Sequence, residues 1–293
     1  MRLLVTGATG FLGWRTAVVL GERGHDVVAL VRPGAAPRAH AAALEAVGAD
    51  AGDVAAQELV KGCDAVLHFA GVPSPAGAHD DPARSVRENA GTTLNLLEGC
   101  ARHGGGLLYP STIRAARPAP DPYAVSKWLG EEACRRHAAP ATVVRMTSVF
   151  GPGQVAWEGA TGAIAAFAAR SLAGEPIVIP GDPDRVRDFL FADDAIVALE
   201  AIVAERRWDE TLDLASGVAT PLIHAAELVR EAVGSDTPIE TPGGTLPPGE
   251  NDSYETDPSA QRLDAPIRAL EETIPLYVDW LRRHSAAQGR PGA

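Results

Sequence analysis

The hydrophobic positions of this chain alternate between two textures. Residues 3–5, 26–31, 64–69, 107–111 and 141–146 are short, almost wholly apolar runs. Between them lie stretches with apolar residues at helical spacing: 15–23, 37–47, 54–61 (closed by Gly62), 81–102 (ending at His103-Gly104) and 122–137. A further short strand is predicted at 49–53. Strands apolar on both faces, separated by helices, predict a parallel sheet covered on both sides, an α/β doubly wound fold of the Rossmann type. After Phe150-Gly151-Pro152-Gly153 the rhythm breaks up. Helices are predicted at 160–173, 193–205, 221–233 and 274–283, strands at 176–179 and 211–215, and a Pro/Gly/Thr-rich loop at 237–258. The predicted division is a dinucleotide-binding domain of 1–150 plus about 185–215, and a smaller interleaved substrate-binding region of about 151–184 plus 216–285. Residues 286–293 read as a disordered tail.

Composition narrows the choice of partners. The 293 residues carry a net charge of −12 and are 46% hydrophobic. Such a chain is large enough for a substantial core, and its charge repels nucleic acid and anionic membranes. No apolar run approaches spanning length, and a strand starting at Arg2 is read as leaving no room for a signal peptide. Cys63, Cys100 and Cys134 are odd in number and far apart, and neither they nor the histidines show metal-ligand spacing. Buried, reduced thiols in a cytoplasmic protein without a metal are the expectation.

Two stretches carry chemistry. Thr6-Gly7-Ala8-Thr9-Gly10-Phe11-Leu12-Gly13 sits between the first strand and the first helix. Its glycines suit a tight turn, a phosphate close to the backbone and a helix packed hard on the sheet, with the helix N-terminus facing a diphosphate. Tyr123 and Lys127 share one helix face at i, i+4. An ammonium beside a phenol lowers its pKa from about 10, which suits Tyr123 for general acid or base work. Ser111 and Thr112 fall at the carboxyl end of a strand, where ligands bind. They are either substrate contacts or turn hydroxyls.

These motifs resemble the extended short-chain dehydrogenases/reductases, the NAD(P)-dependent epimerase/dehydratase family, nearly end to end. By that resemblance, Gly7, Thr9, Gly10, Phe11, Leu12 and Gly13 bind the dinucleotide. Asp53 in Gly52-Asp53-Val54 contacts adenine. Phe69, Ala70 and Gly71 after His68 line the cofactor. Asn89 supports the active site from the long helix. Thr112 is the catalytic hydroxyl, with Ser111 beside it. Tyr123 and Lys127 are the catalytic pair, with Lys127 also reaching the nicotinamide ribose. Arg187, in Arg187-Asp-Phe, matches a residue that often holds a substrate diphosphate, and is also common as a structural ion pair. Ser148 stands in a substrate-contacting position. Trp157 in the following loop lines the cleft or packs. A homodimer through the long helices is also implied.

Four departures bear on function. No acidic residue ends the second strand: Val31 is followed by Arg32. An arginine suits a 2′-phosphate, with Arg15 and Arg38 as helpers, so NADP(H) is favoured. NAD(H) stays open if Arg32 stacks on adenine. Ile113-Arg114 replaces the Asp-Glu that sugar-nucleotide dehydratases carry, so elimination chemistry is not expected. Only ten residues separate Thr112 from Tyr123, and Arg114 and Arg117 within them are read as solvated. Ser148 replaces an Asn that contacts nucleotide sugars, and Met146 a Pro. The expectation is an NADP(H)-dependent reductase acting on a nucleotide-linked keto-sugar or related carbonyl. The alternatives are a nucleotide-sugar 4-epimerase with tightly bound NAD, and a non-catalytic dinucleotide-binding regulator on the same scaffold.

Overall fold

The computed structural model describes residues 1–35, 45–116, 121–159, 162–246, 253 and 261–287. Its elements in chain order begin with β1 (Arg2–Thr6), α1 (Phe11–Glu22), β2 (Asp26–Val31), β3 (Glu45–Gly48), α2 (Ala55–Glu58), β4 (Ala65–His68), α3 (Pro75–Asp80) and α4 (Pro82–Val86). A π-helical turn (Arg87–Gly91) follows, then α5 (Thr92–His103), β5 (Gly106–Thr112), α6 (Pro122–Arg136) and β6 (Ala141–Met146). The remainder is β7 (Ser148–Phe150), α7 (Ala163–Leu172), β8 (Ile177–Pro180), β9 (Val186–Phe191), α8 (Ala192–Ala204), β10 (Thr211–Leu214), β11 (Ala219–Pro221), α9 (Leu222–Val233), β12 (Ile239–Gly243) and α10 (Leu270–Ala287).

Seven strands form one parallel sheet in the order β10-β6-β5-β4-β1-β2-β3. The chain starts at β1, winds outward to β3, then returns to place β4 on the other side of β1. That reversal opens a crevice at the carboxyl ends of β1 and β4, where doubly wound sheets bind ligands. Both faces of the strands are buried, as their unbroken apolar runs require: Leu3, Leu4, Val5, Val66, Leu67, Leu107 and Leu108 are at most 1% exposed.

The chain divides into two compact units. The first holds Met1–Met146, Ile196–Leu214 and Ser259–Asp264, and the second Thr147–Ala195, Ala215–Pro258 and Ala265–Ala293. Strand β9 therefore lies in the second unit, not with the sheet domain where the sequence reading put it. The reason is its pairing, parallel to β7 and antiparallel to β11. The second unit has its own core of Phe150, Ile164, Phe167, Phe189, Phe191, Leu222, Val229 and Tyr277, with Phe150 stacked edge-on against Phe189, Phe191 and Tyr277.

Local expectations change in five places. Residues 49–53 are not a strand: Asp50 takes the Gly52 N–H in a turn, and the sheet is extended by β3 instead. The helix expected at 37–47 falls largely outside the described residues, and its end is β3. The helix over 81–102 is divided by the π-helical turn. Part of the loop at 237–258 is β12, paired with β8. Residues 286–287, read as tail, close α10, and the rest of the tail is outside the described residues.

Candidate active site

The β1–α1 loop is built by close approach. Gly7 has φ +67, and a Cβ there would stand 2.7 Å from the backbone of Phe69 and Ala70. A Cβ on Gly13 would collide with the Gly7 carbonyl. Gly10 closes the turn through its N–H to Gly7 O at 2.8 Å and caps α1 in an extended conformation without any side-chain cap. The first N–H groups of α1 thus stay available for an anion, flanked by Thr9, Phe11 and Leu12. These features fit a dinucleotide diphosphate. Gly7→Ala is expected to weaken NAD+ binding at least about tenfold by titration calorimetry, because the left-handed backbone and the packed strand end both resist a side chain.

The end of β4 is tied to this loop by a directed chain of hydrogen bonds. Ala70 N–H donates to Thr6 Oγ1 (3.1 Å), whose proton goes to His68 Nδ1 (2.7 Å). His68 Nε2 in turn donates to Thr92 Oγ1 (3.1 Å), which donates to the Glu88 carbonyl. Burial drives the His68 pKa from 6.5 down to about 3, helped by the positive charge of Lys127. The folded state thus binds fewer protons than the unfolded state between those values, so stability falls as pH drops from 6.5 towards 3. His68→Gln is expected to flatten that decline by up to about 1.4 kcal/mol per pH unit in urea titrations. Asn89, fully buried on the π-helical turn, fixes the next residues. It accepts from Val72 N–H (2.8 Å) and donates to Val72 O and Ser126 Oγ. Its side chain lies against Gly71, leaving no room for a Cβ there.

At the adenosine side, Arg32 is exposed immediately after β2. Asp53 and Val54 are also exposed, and the Asp53 carbonyl accepts from Asn95 Nδ2 (2.8 Å). Arg38 is outside the described residues.

The proposed catalytic groups converge at β5 and α6. Asp121 caps α6 by accepting the Ala124 N–H (2.9 Å), Pro122 occupies the first turn, and Tyr123 follows. Lys127, one turn on, is buried. Its Nζ donates to Pro110 O at 3.0 Å and lies 4.8 Å above the Tyr109 ring. Thr112 Oγ1 accepts the Arg114 N–H (3.3 Å). Ser111 is engaged otherwise: its hydroxyl donates to Glu131 Oε1 at 2.6 Å. With the Ser111 hydroxyl committed to Glu131, Thr112 is the hydroxyl of the two left for a substrate oxygen. The pairing of Ser111 with Thr112 expected from sequence is thereby corrected.

The electrostatics also differ from expectation. Burial pushes the Tyr123 phenol up to about 12, Arg114 pulls it down and Asp121 raises it. Lys127 serves the Pro110 carbonyl rather than the phenol. Its own pKa is brought down to about 8 by burial, against the opposing pull of Glu131. Glu131 is 0% exposed and binds Ser111, Arg145 (2.7 and 3.0 Å) and Arg135 (3.1 Å). Its signal was present in the sequence: Tyr123, Lys127 and Glu131 follow at i, i+4 and i+8 on one face of α6. Arg114 is not solvated either, since it pairs with Asp121. Arg117 is outside the described residues.

Ser148, Trp157 and Arg187 belong to the second unit. Ser148 on β7 is in register with Phe189. Trp157 packs on that unit's core. Arg187 Nη1 donates to Val186 O (2.9 Å). Beside it, buried Asp188 organises the following turn, accepting from Thr147 Oγ1, Ser216 N, Ser216 Oγ and Gly217 N. Among the described residues, no group of three or more His, Cys, Asp or Glu side chains could hold a metal, and no helix is long and apolar enough to cross a membrane.

The chain is similar to known proteins over most of its length. The UDP-glucose 4-epimerase of Mycolicibacterium smegmatis is 29% identical over 268 residues, 80% of this chain and 83% of that protein. The dTDP-glucose 4,6-dehydratase of Streptomyces niveus is 25% identical, over 98% of this chain and 94% of that protein. The solved UDP-glucose 4-epimerase of Thermotoga maritima superposes with a TM-score of 0.83 at 24% identity, covering 97% of this chain and 99% of that one. Residues 3–212 match the model of the NAD dependent epimerase/dehydratase family. By that match and by its parallel sheet, the chain belongs to that family of NAD(P)-dependent enzymes.

Proposed function

We propose that this chain moves a hydride reversibly at one carbinol carbon of a nucleotide-linked sugar, as a 4-epimerase. The observation carrying this reading is that, among the described residues, Thr112, Tyr123 and Lys127 stand without a second acid–base carboxylate. Ile113 and Arg114 follow Thr112, and Asp121 is committed to the α6 cap and to Arg114. Elimination requires an additional acid and base, whereas epimerisation requires only one proton and one hydride. A bound nicotinamide would supply the redox chemistry, an acceptor for the hydride of that carbon and then its donor back to the opposite face, with no net oxidation. The β1–α1 loop holds the diphosphate, Lys127 orients the ribose, Thr112 holds the substrate oxygen, and Tyr123 exchanges its proton. The 4-epimerase among the relatives supports the substrate class. The test is conversion of UDP-glucose to UDP-galactose with a trace of NAD+ and no net NADH. Conversion absent across UDP- and dTDP-linked hexoses rejects it.

Arg32 supports a second reading, a reductase drawing on NADPH, because a guanidinium after β2 suits a 2′-phosphate where an acidic residue would repel it. NADPH consumed one-for-one with a 4-keto-sugar, and tighter binding of NADP+ than NAD+, would favour it. The dimer belongs to the same reading: Leu94 on α5 and Val125 and Trp128 on α6 are 44–47% exposed. Light scattering is expected to show twice the chain mass, falling to one chain in Trp128→Glu.

A further inference from the structure

The stretch between Thr112 and Tyr123 contains an ion pair that neither the motifs nor the expected chemistry assigned. Arg114 Nη2 donates to Asp121 Oδ2 at 2.9 Å, and the two side chains keep only 11% and 9% of their exposure. Each partner is also bound to a catalytic element. The Arg114 N–H donates to Thr112 Oγ1 at the end of β5 (3.3 Å), and Asp121 Oδ1 accepts the Ala124 N–H at the start of α6 (2.9 Å). One pair thus joins the strand that carries Thr112 to the helix turn that carries Tyr123.

We propose that Arg114 and Asp121 are positioning residues for Tyr123. They clasp the first turn of α6 to the end of β5 and set the charge that the phenol meets. This rests on Tyr123 as the proton-transfer group. Desolvation makes the pair matter: charges held with little solvent exposure act on a neighbour with little screening.

Among the described residues, the other charged groups on α6 and on the elements packed against it are engaged elsewhere or face solvent. On α3 and its end, His79, Asp80 and Asp81 are exposed. On α4 and the π-helical turn, Arg84 pairs with Glu88, and Arg87 is exposed. On α5, Glu98 pairs with His137, and Arg102 and His103 with Glu58. On β6, Arg145 is held by Glu131, and on β5 the Tyr109 hydroxyl donates to Asn89 O. On α6 itself, Lys127 is turned to Pro110 O, and Glu131, Glu132, Arg135 and Arg136 bind one another or Arg145. Among the described residues, Arg114 and Asp121 are the charged groups that act on the phenol, with opposite signs.

Opposite signs give the test. Asp121→Asn keeps a cap acceptor but removes the anion, whereas Arg114→Gln removes the cation. In protein labelled with 13Cζ-tyrosine and saturated with NAD+, the Tyr123 resonance is assigned by its loss in Tyr123→Phe. At a fixed alkaline pH where circular dichroism shows every variant folded, the Tyr123 phenolate-to-phenol ratio is expected to fall roughly tenfold in Arg114→Gln, rise roughly tenfold in Asp121→Asn, and stay near wild type in Arg114→Lys. Movement of both neutral variants in one direction, as a purely structural role would give, or of neither, overturns the proposal. Failure of the proton-transfer reading is seen separately, as turnover that survives Tyr123→Phe.

Discussion

Tyr123→Phe is expected to lose turnover by about 10²- to 10⁴-fold while retaining its fold and its affinity for NAD+. The phenyl ring keeps the packing of the tyrosine on the first turn of α6, and the Asp121 cap that starts the helix is untouched. What disappears is the hydroxyl proposed to pass a proton to or from the substrate oxygen. Thr112 remains as a hydrogen-bond partner, but its hydroxyl is too weakly acidic to replace a phenol beside a cationic nicotinamide. The measurement has two parts: steady-state rates on the substrate identified by the epimerase test, and NAD+ binding by calorimetry. Wild-type rates in the variant would remove Tyr123 from the mechanism. Lost binding would indicate damage to the site rather than to the proton step.

Glu131→Ala is expected to cost about 3–5 kcal/mol of folding stability. The carboxylate is fully buried and takes both contacts of Arg145, whose side chain is only 18% exposed, together with Arg135 and Ser111. Removing it leaves a guanidinium without its main anion under the edge of the sheet. Glu131→Gln should lie between wild type and Ala, because the amide oxygen still accepts while the charge is gone. Urea denaturation of the three proteins measures the series. A loss below about 1 kcal/mol in Ala would show that Arg145 is held by other partners, of which nearby Asp213 is one. The same change should lower the Lys127 pKa below about 8, since Glu131 is an anion that holds its proton on.

The central sheet was legible because its strands are buried on both faces and write themselves as apolar runs. The β1–α1 loop and the Tyr123–Lys127 spacing were legible because each is local, set by residues within one turn. The errors arose where the deciding contact is remote or the element is too short to show a period. β3 is four residues long with little buried surface, and it exists because β2 offers it an edge. β9 and β12 are placed by their partners β7, β11 and β8. Ser111 and Thr112 are equivalent as letters, and only the buried carboxylate of Glu131, which takes the Ser111 hydroxyl, separates them. Arg114 looked solvated because its partner lies seven residues on, across a turn whose path no spacing rule gives. Glu131 was legible in principle, one helical repeat past Lys127, and was passed over because glutamate on a helix is usually at the surface.

The π-helical turn bears on how this chain can change over time. The Thr92 N–H reaches back five residues to the Arg87 carbonyl, so the helix carries one residue more than a regular one would need. The hydroxyls of Thr92 and Thr93 fill in on the carbonyls of Glu88 and Asn89. Loss of any single residue here would restore a regular helix and rotate everything before it by about 100° relative to α5. Ser85 would leave Ser126, and Asn89 could not face both Val72 and Ser126. Substitutions on the outer side of this helix are therefore tolerable one at a time, whereas a one-codon deletion or insertion is not. The surplus residue acts as a reading-frame mark for the active site, and lineages that diverge in every exposed position of this helix should still agree on its length.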